Sequence, residues 1–392
     1  MKGVWGIGLA SFLADVGHEV PTALLASFVT ITLGAPVAVL GLIEGLADGL
    51  AGLARFAGGA LADDASRRRT VALGGYSLTA LLAALIGGAY AVWQVALLRT
   101  AAWTARGLRV PARNALLADL VPAEAYGRAY GFERMMDNLG AIGGPLLALG
   151  LVALVGVRTA IALSVIPGLL AALSIFYAIR HIPRATSRER VPLRITVRPL
   201  LRGCLRQVLL GVSLFEAGNV ATTLLILRAT QQLTPGLGLG GATQAAIGLY
   251  IGYNIAATLV SLPAGRLADR WGAIRALTVG VLFFLLAYLG FAVPTPNVLV
   301  LAGSFTVAGL AIGCIETSQH ASVAALAPAD LRGSAFGLLA TVQSFGNLLA
   351  SGVAGLLWTI VSPTTAFIYL AVWALISYLV LARIALRRSP SS

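Results

Sequence analysis

Twelve apolar runs, each about long enough to cross a bilayer, make up most of this 392-residue chain. They fall roughly at 4–31, 37–61, 70–91, 93–118, 127–154, 158–180, 207–230, 243–266, 273–293, 297–326, 332–357 and 363–386. A helix needs about 20 apolar residues to cross the hydrocarbon core, and a water-soluble fold has nowhere to hide so many. Charged residues are 11% of the chain, against about 25% in soluble domains. No run shows strand-type alternation, and in lipid each helix satisfies its own backbone polar groups. The expected fold class is an all-α polytopic membrane protein. The first run follows Met1-Lys2-Gly3 directly, exceeds a signal-peptide core and holds carboxylates, so it is read as a retained span.

The arginines set the expected orientation. Arg67, Arg68 and Arg69 follow the second run; Arg180, Arg184, Arg188, Arg190, Arg194, Arg198, Arg202 and Arg206 crowd the central segment; Arg383, Arg387 and Arg388 end the chain. The alternate loops 32–36, 231–244 and 294–297 hold no Lys or Arg. Positive charge stays cytoplasmic, which places both termini inside a cell inner membrane. The net charge of +13 is then a topology signal, and no basic soluble face exists for nucleic acid. The central segment divides the chain into an N-terminal bundle 1–180, a basic linker 181–206 and a C-terminal bundle 207–392, six helices in each bundle. The linker is read as lying on anionic lipid headgroups, and Pro199 argues against its being one unbroken helix. Cys204 and Cys314 lack metal-ligand spacing and are read as ordinary small residues.

The turn after the second run returns later in the chain. Gly59, Leu61, Asp63 and Arg69 reappear as Gly265, Leu267, Asp269 and Arg275, each 206 positions on. The same shift aligns Leu120, Pro122, Ala123, Gly127, Ala129 and Gly131 with Leu326, Pro328, Ala329, Gly333, Ala335 and Gly337, and Gly140 with Gly346. Two parallel repeats related about the membrane normal are a known transporter plan, with the substrate site near midplane between them. Across essentially its whole length the chain resembles the major facilitator superfamily, which implies twelve transmembrane helices in two pseudo-symmetric six-helix bundles. Gly59, Asp63, Arg67 and Arg69 match the family's signature loop, and Gly265, Asp269, Arg270 and Arg275 match its counterpart. The resemblance implies a cytoplasmic gate, in which the loop's Asp latches the halves together when the carrier faces outward. Asp64 stands where the family usually has a basic residue, a departure expected to weaken the latch, with Arg67–Arg69 compensating. Gly131, Gly140, Gly144 and Pro145 resemble the family's antiporter motif, although Ala148-Leu149 replace its final glycines. Arg99 sits where the family often has a proton-coupling arginine, with Ala102 in place of the usual glycine three residues on.

Ionisable residues at membrane depth are costly and are functional candidates by default. At 1.5 Å rise per residue, Asp15, Glu19, Asp48, Arg106 and Asp137 fall about 15–23 Å from a helix end, near the middle of a core about 30 Å thick. Asp15/Glu19, Glu44/Asp48 and Glu133/Asp137 are spaced i, i+4, which puts each pair on one helix face. Those faces should point into the bundle. Arg99, Arg106 and Arg113 recur every seven residues as a cationic stripe. The charges nearer the inner surface, Arg55, Arg109, Arg113 and Glu133, are read as either structural ion pairs or functional groups. Burial and a neighbouring arginine act oppositely on a carboxylate's proton affinity, so a carboxylate moved between those settings carries protons. Asp15, Glu19, Asp48 and Asp137, with Arg99 and Arg106, are the expected proton or cation coupling residues; His18 joins them as a relay or is a packed histidine. At the 206 shift Glu44, Asp48 and Asp137 face Tyr250, Asn254 and Gln343. Substrate contact is therefore expected from Glu216, Asn219, Asn254, Gln343 and Asn347, together with Glu19, Glu44 and Asp48.

These features predict a secondary transporter working by alternating access, acting as a monomer on a small-molecule substrate and protons. Proton-coupled efflux of small amphipathic or cationic organic molecules is the leading expectation. A metal ion or polar nutrient as cargo, and a lipid-moving or sensor protein on the same fold, are the alternatives. No catalytic motif stands out in the loops, and no cofactor or resident metal is expected; Glu316 and His320 share a face but lack further ligands.

Overall fold

The computed structural model describes residues 2–181, 198–294 and 297–387. Most of the 181–206 linker, with Arg184, Arg188, Arg190 and Arg194, lies outside the described residues, as does Arg388. The helices are α1 (Lys2–Ser27), α2 (Val37–Ala62), α3 (Ala65–Leu85), α4 (Val92–Leu120), α5 (Tyr126–Leu163), α6 (Val165–Arg180), α7 (Gly203–Glu216), α8 (Thr222–Trp271), α9 (Ala273–Ala292), α10 (Val298–Leu326), α11 (Arg332–Ile360) and α12 (Pro363–Arg387). Two of these are pairs of helices meeting at a bend, at Gly156 (φ 76°) in α5 and Gly238 (φ 68°) in α8. Such a positive φ is open to glycine at little cost. The twelve expected crossings are thus accounted for, with two interruptions: a single-residue turn at Ser164 in the sixth, and a wider break in the seventh. The seventh is not continuous: it stops after Glu216 and resumes at Thr222.

The apolar surface agrees with a lipid environment. Leu42, Leu53, Leu97, Leu146, Leu149, Leu154, Leu259 and Leu348 are all exposed, a display that in water would mark an interaction surface or an aggregation liability. Helices α3, α9, α10 and α12 are each long and apolar enough to span a membrane, as are the stretches Ala123–Arg180, Thr222–Trp271 and Ala329–Ile360. Helices α1, α2 and α4 are not in that group; α1 and α4 hold the buried charges Asp15, Arg99, Arg109 and Arg113.

The chain forms two compact units. One comprises Met1–Ala123, Met136–Leu200 and Ala327–Thr341; the other comprises Glu124–Met135, Leu201–Leu326 and Val342–Ser392. In the first unit α2 packs on α4, α1 on α6, and α3 on both α4 and α6. In the second, α10 packs on α8 and α9, and α12 on α9 and α7. Each unit also takes in the first turns of a helix from the opposite sequence half, α11 in the first and α5 in the second.

Glycine permits these two insertions. A Cβ on Gly59 would stand 2.7 Å from Gly333 O and 2.8 Å from Gly337 Cα, so α2 and α11 meet backbone to backbone. In the other unit, Gly127 and Gly265 face each other's carbonyl oxygens just as closely, and Gly131 lies against Ser261 O. The glycines duplicated at the 206 shift thus make the same contact in both units. Small residues of this kind allow close helix approach where lipid supplies no hydrophobic drive.

Candidate functional site

At the Asp63 end of the first unit, the Asp63 carboxylate accepts hydrogen bonds from Ser334 N (2.8 Å) and Ser334 Oγ in the first turn of α11. In the second unit Asp269 accepts from Gly127 N (2.7 Å), Arg128 N (3.1 Å) and Arg128 Nε (2.8 Å) at the start of α5. Ser334 and Arg128 are themselves 206 positions apart. A carboxylate on the free N–H groups of a helix start meets both unsatisfied donors and the positive end of the dipole. Burial pushes the Asp63 carboxyl above its ordinary range, and the Ser334 bonds pull it back only in part.

Asp64 has a different job. It caps α3, accepting from Ser66 N (2.8 Å), Ser66 Oγ (2.6 Å) and Arg67 N (3.4 Å). Its burial raises the carboxyl, but these bonds and the nearby Arg67 outweigh that and leave it below the ordinary range. The cap is therefore present at neutral pH and lost only as pH falls through the carboxylate range. Arg67 pairs with Asp64 at 3.5 Å, and Arg270 is exposed at the end of α8. The buried arginine of this loop is Arg68, which donates to Ala62 O (2.7 Å) and pairs with Asp119; Asp119 also pairs with Arg332 at 3.6 Å. Asp64→Ala is expected to lower thermal stability by about 1 kcal/mol, the usual worth of an N-cap, and to leave transport intact. Asp63→Asn is expected to impair transport. Thermal unfolding and flux measured on both variants separate cap from latch.

Deeper in the first unit, the seven-residue arginine stripe of α4 distributes its charges over three helices. Arg99, 1% exposed, donates from Nε and Nη2 to the two oxygens of Glu44 on α2, both at 3.0 Å, and from Nη1 to Thr22 Oγ1 at 3.1 Å. Arg106 pairs with Asp15 on α1 at 3.6 Å. Arg113 pairs with Asp137 on α5 at 3.5 Å and donates to Ser11 Oγ at 3.0 Å. Trp103 sits within the stripe. Its Nε1 donates to Asp48 at 3.0 Å, and the Arg99 guanidinium stacks 3.4 Å above its ring. His18 stands edge-on to Trp103 and donates from Nδ1 to Ala14 O at 2.9 Å. The same imidazole lies 3.3 Å from both Asp15 and Glu19, a different nitrogen facing each. The three acidic pairs read from sequence thus differ in fate. Glu44 and Asp48 both face α4, and Asp15 and Glu19 flank His18. Glu133 instead belongs to the second unit, where Arg134 holds it at 2.7 Å and also lies 3.8 Å from Glu316.

Two of the antiporter-like glycines, Gly140 and Gly144, seat α5 on α1 at these acids. A Cβ on Gly140 would stand 2.7 Å from Asp15 Cβ and 2.6 Å from Phe12 O, while Gly144 lies against Glu19 Cβ. The helix continues through Pro145.

The second unit repeats this geometry in neutral chemistry. Gly346, the counterpart of Gly140, lies against Glu216, so Glu216 on α7 occupies the place of Asp15 on α1. Gln319 and Gln343 are the 206-shift counterparts of Arg113 and Asp137, and Gln343 Nε2 donates to Gln319 Oε1 at 2.8 Å. An ion pair has become an amide pair. Glu216, 2% exposed, accepts from Asn219 Nδ2 at 2.8 Å and Gln319 Nε2 at 3.2 Å. Among the described residues no basic side chain pairs with it. Asn347 Nδ2 donates to Asn219 O at 2.9 Å. The break in the seventh crossing lies here, held by Tyr288, whose hydroxyl donates to Gly218 O (2.7 Å) and accepts from Val220 N (3.2 Å). Discontinuous helices are a recurring site feature in transporters. Asn254 does not join this network; its amide donates to Tyr250 O on its own helix.

Gln319 was missed by sequence reasoning, although applying the repeat shift to Arg113 points to it. Gln319→Leu removes both the donor to Glu216 and the acceptor for Gln343. Unmet buried partners cost about 1–3 kcal/mol, so a lowered unfolding midpoint in detergent is expected. Among the described residues no group of three or more His, Cys, Asp or Glu is placed to hold a metal ion.

Helical units with an apolar exposed surface and charges buried inside them define a polytopic membrane protein. The family model of the Major Facilitator Superfamily matches residues 7–249 and 208–392, and the chain belongs to that family. It is therefore a secondary transporter. An uncharacterised MFS-type transporter of Methanocaldococcus jannaschii is 28% identical over 384 residues, covering 97% of this chain and 94% of the relative. Among solved structures, a bacterial homologue of the iron transporter ferroportin in an outward-facing state superposes with TM-score 0.76 at 15% identity, covering 99% of both chains. The human organic anion transporter MFSD10 superposes with TM-score 0.73 at 15% identity, covering 97% of this chain and 99% of the other. At these identities the structural likeness concerns the fold.

Proposed function

We propose that the protein is a proton-coupled exporter, exchanging protons for small amphipathic or cationic organic molecules across the cell inner membrane. The observation that carries this reading is the unequal chemistry of matched positions. Asp15 and Asp137 each pair with an arginine, Arg106 and Arg113, whereas Glu216, Gln319 and Gln343 present one carboxylate among amides. A carboxylate that can exchange an arginine partner for a proton serves coupling. A buried carboxylate without a basic partner attracts a cationic substrate group. Asp15, Glu19, Asp48 and Asp137, with Arg99 and Arg106, take the coupling role, and Glu216, Asn219, Gln343 and Asn347 the substrate role. The Asp63 and Asp269 contacts act as the cytoplasmic gate.

The test is ethidium flux, as a model amphipathic cation, in proteoliposomes with an imposed pH gradient. Flux that follows the gradient and falls in Glu216→Gln supports the reading. Flux indifferent to the gradient, for ethidium and for a panel of organic cations, overturns it.

A further inference from the structure

A small cavity inside the first unit carries a site that the transport reading does not use. It lies between α1, α3, α4 and α6, lined by His18, Tyr76, Thr79 and Arg109 and otherwise by small residues such as Gly17 and Ala80. Its volume is about 10 Å³, room for about one water-sized sphere. Arg109 is 3% exposed and Tyr76 1% exposed. The Arg109 guanidinium stacks 3.9 Å above the Tyr76 ring. Among the described residues no hydrogen bond or ion pair reaches that guanidinium, and the buried Tyr76 hydroxyl has no hydrogen-bond partner.

A buried cation needs a compensating charge, and the neighbouring carboxylates are already engaged. Asp15, the acid in the electrostatic reach of Arg109, pairs with Arg106 and His18; Asp137 pairs with Arg113 and Glu44 with Arg99. Glu19 faces His18. The two groups left over can both donate to an anion, through guanidinium N–H groups and a phenolic O–H. The Thr79 hydroxyl spends its hydrogen on Gly75 O at 2.7 Å. We propose that this cavity binds one monatomic anion, of which chloride is the physiological example, held by Arg109 N–H groups and the Tyr76 hydroxyl. The cavity is too small for an oxyanion such as phosphate, and a small anion suits the Arg109 N–H groups and the unpartnered Tyr76 hydroxyl. Such an ion would balance Arg109 whatever the protonation state of Asp15.

The experiment uses the full chain purified in detergent, with radiochloride as probe and sodium gluconate to hold ionic strength. One saturable site per chain is expected, competed by bromide and not by gluconate. Arg109→Gln should abolish it. Tyr76→Phe, which breaks no bond to any other residue, should weaken binding about tenfold, the worth of one hydrogen bond to a charged group. If Arg109→Gln fails to fold, Tyr76→Phe alone decides. Absence of saturable binding in the unaltered chain, with an ordered water found between Arg109 and Tyr76, overturns the proposal. So does binding that neither substitution changes.

Discussion

Asp15→Asn is expected to abolish gradient-driven ethidium accumulation in proteoliposomes while sparing downhill exchange. The substitution keeps the shape of the side chain and its place against Gly140. It removes the charge that Arg106 faces at 3.6 Å and that His18 faces at 3.3 Å. Removing one partner of a buried pair costs about 3–5 kcal/mol, roughly a hundredfold or more in an equilibrium. A protein whose two states differ in the pairing of Asp15 then loses the ability to use a proton to choose between them. Asp137→Asn is expected to act in the same direction through Arg113, whereas Asp15→Glu should retain coupling at reduced rate. The readout is the ratio of accumulation with a pH gradient to exchange without one. A ratio unchanged in both Asn variants would remove these residues from the coupling role.

The second large effect is expected from one methyl group. Gly127→Ala places a Cβ against the backbone oxygen of Gly265 and 2.6 Å from Asp269 Oδ1. Since the obstacle is backbone, the helices must separate, and the hydrogen bonds from Gly127 N and Arg128 N to Asp269 go with them. Overpacking of this kind costs about 1–3 kcal/mol, before the lost bonds are counted. Gly59→Ala should behave alike against Gly333 and Gly337. Gly74→Ala is the control: a Cβ there meets open space, and alanine is the better helix former by about 1 kcal/mol. Flux at least tenfold lower in Gly59→Ala and Gly127→Ala but not in Gly74→Ala, with all three folded by circular dichroism, is the expected pattern. Equal flux in all three would show that the close approach is dispensable.

Much of this was legible before any coordinates. Apolar runs set the crossings because a buried backbone must satisfy itself, and the repeat shift marked Gly59, Gly265, Gly127 and Gly333 as a matched set. The i, i+4 spacing placed Glu44 with Asp48 on one face of α2. Helical periodicity says which side chains share a face. It does not say which neighbouring helix that face meets, and so it left open which acid each arginine of α4 meets. Packing gives Glu44 to Arg99, Asp15 to Arg106 and Asp137 to Arg113. The seventh crossing read as continuous because Glu216–Thr222 lacks proline and has one glycine, and only the hold of Tyr288 on Gly218 and Val220 makes the break visible. Asp64 likewise read as a weakened latch residue until its bonds to Ser66 and Arg67 showed a helix cap.

By itself the sequence determined the class of fold, the duplication and the inventory of buried charge, because burial cost and helical period act locally along a chain. The tertiary structure alone decided who pairs with whom: Arg99 with Glu44, Arg68 with Asp119, Gln319 with Glu216, and Arg109 with a tyrosine ring instead of a carboxylate. Ion pairs and hydrogen bonds act over a few ångströms between segments far apart in sequence, and only packing brings those segments within that range.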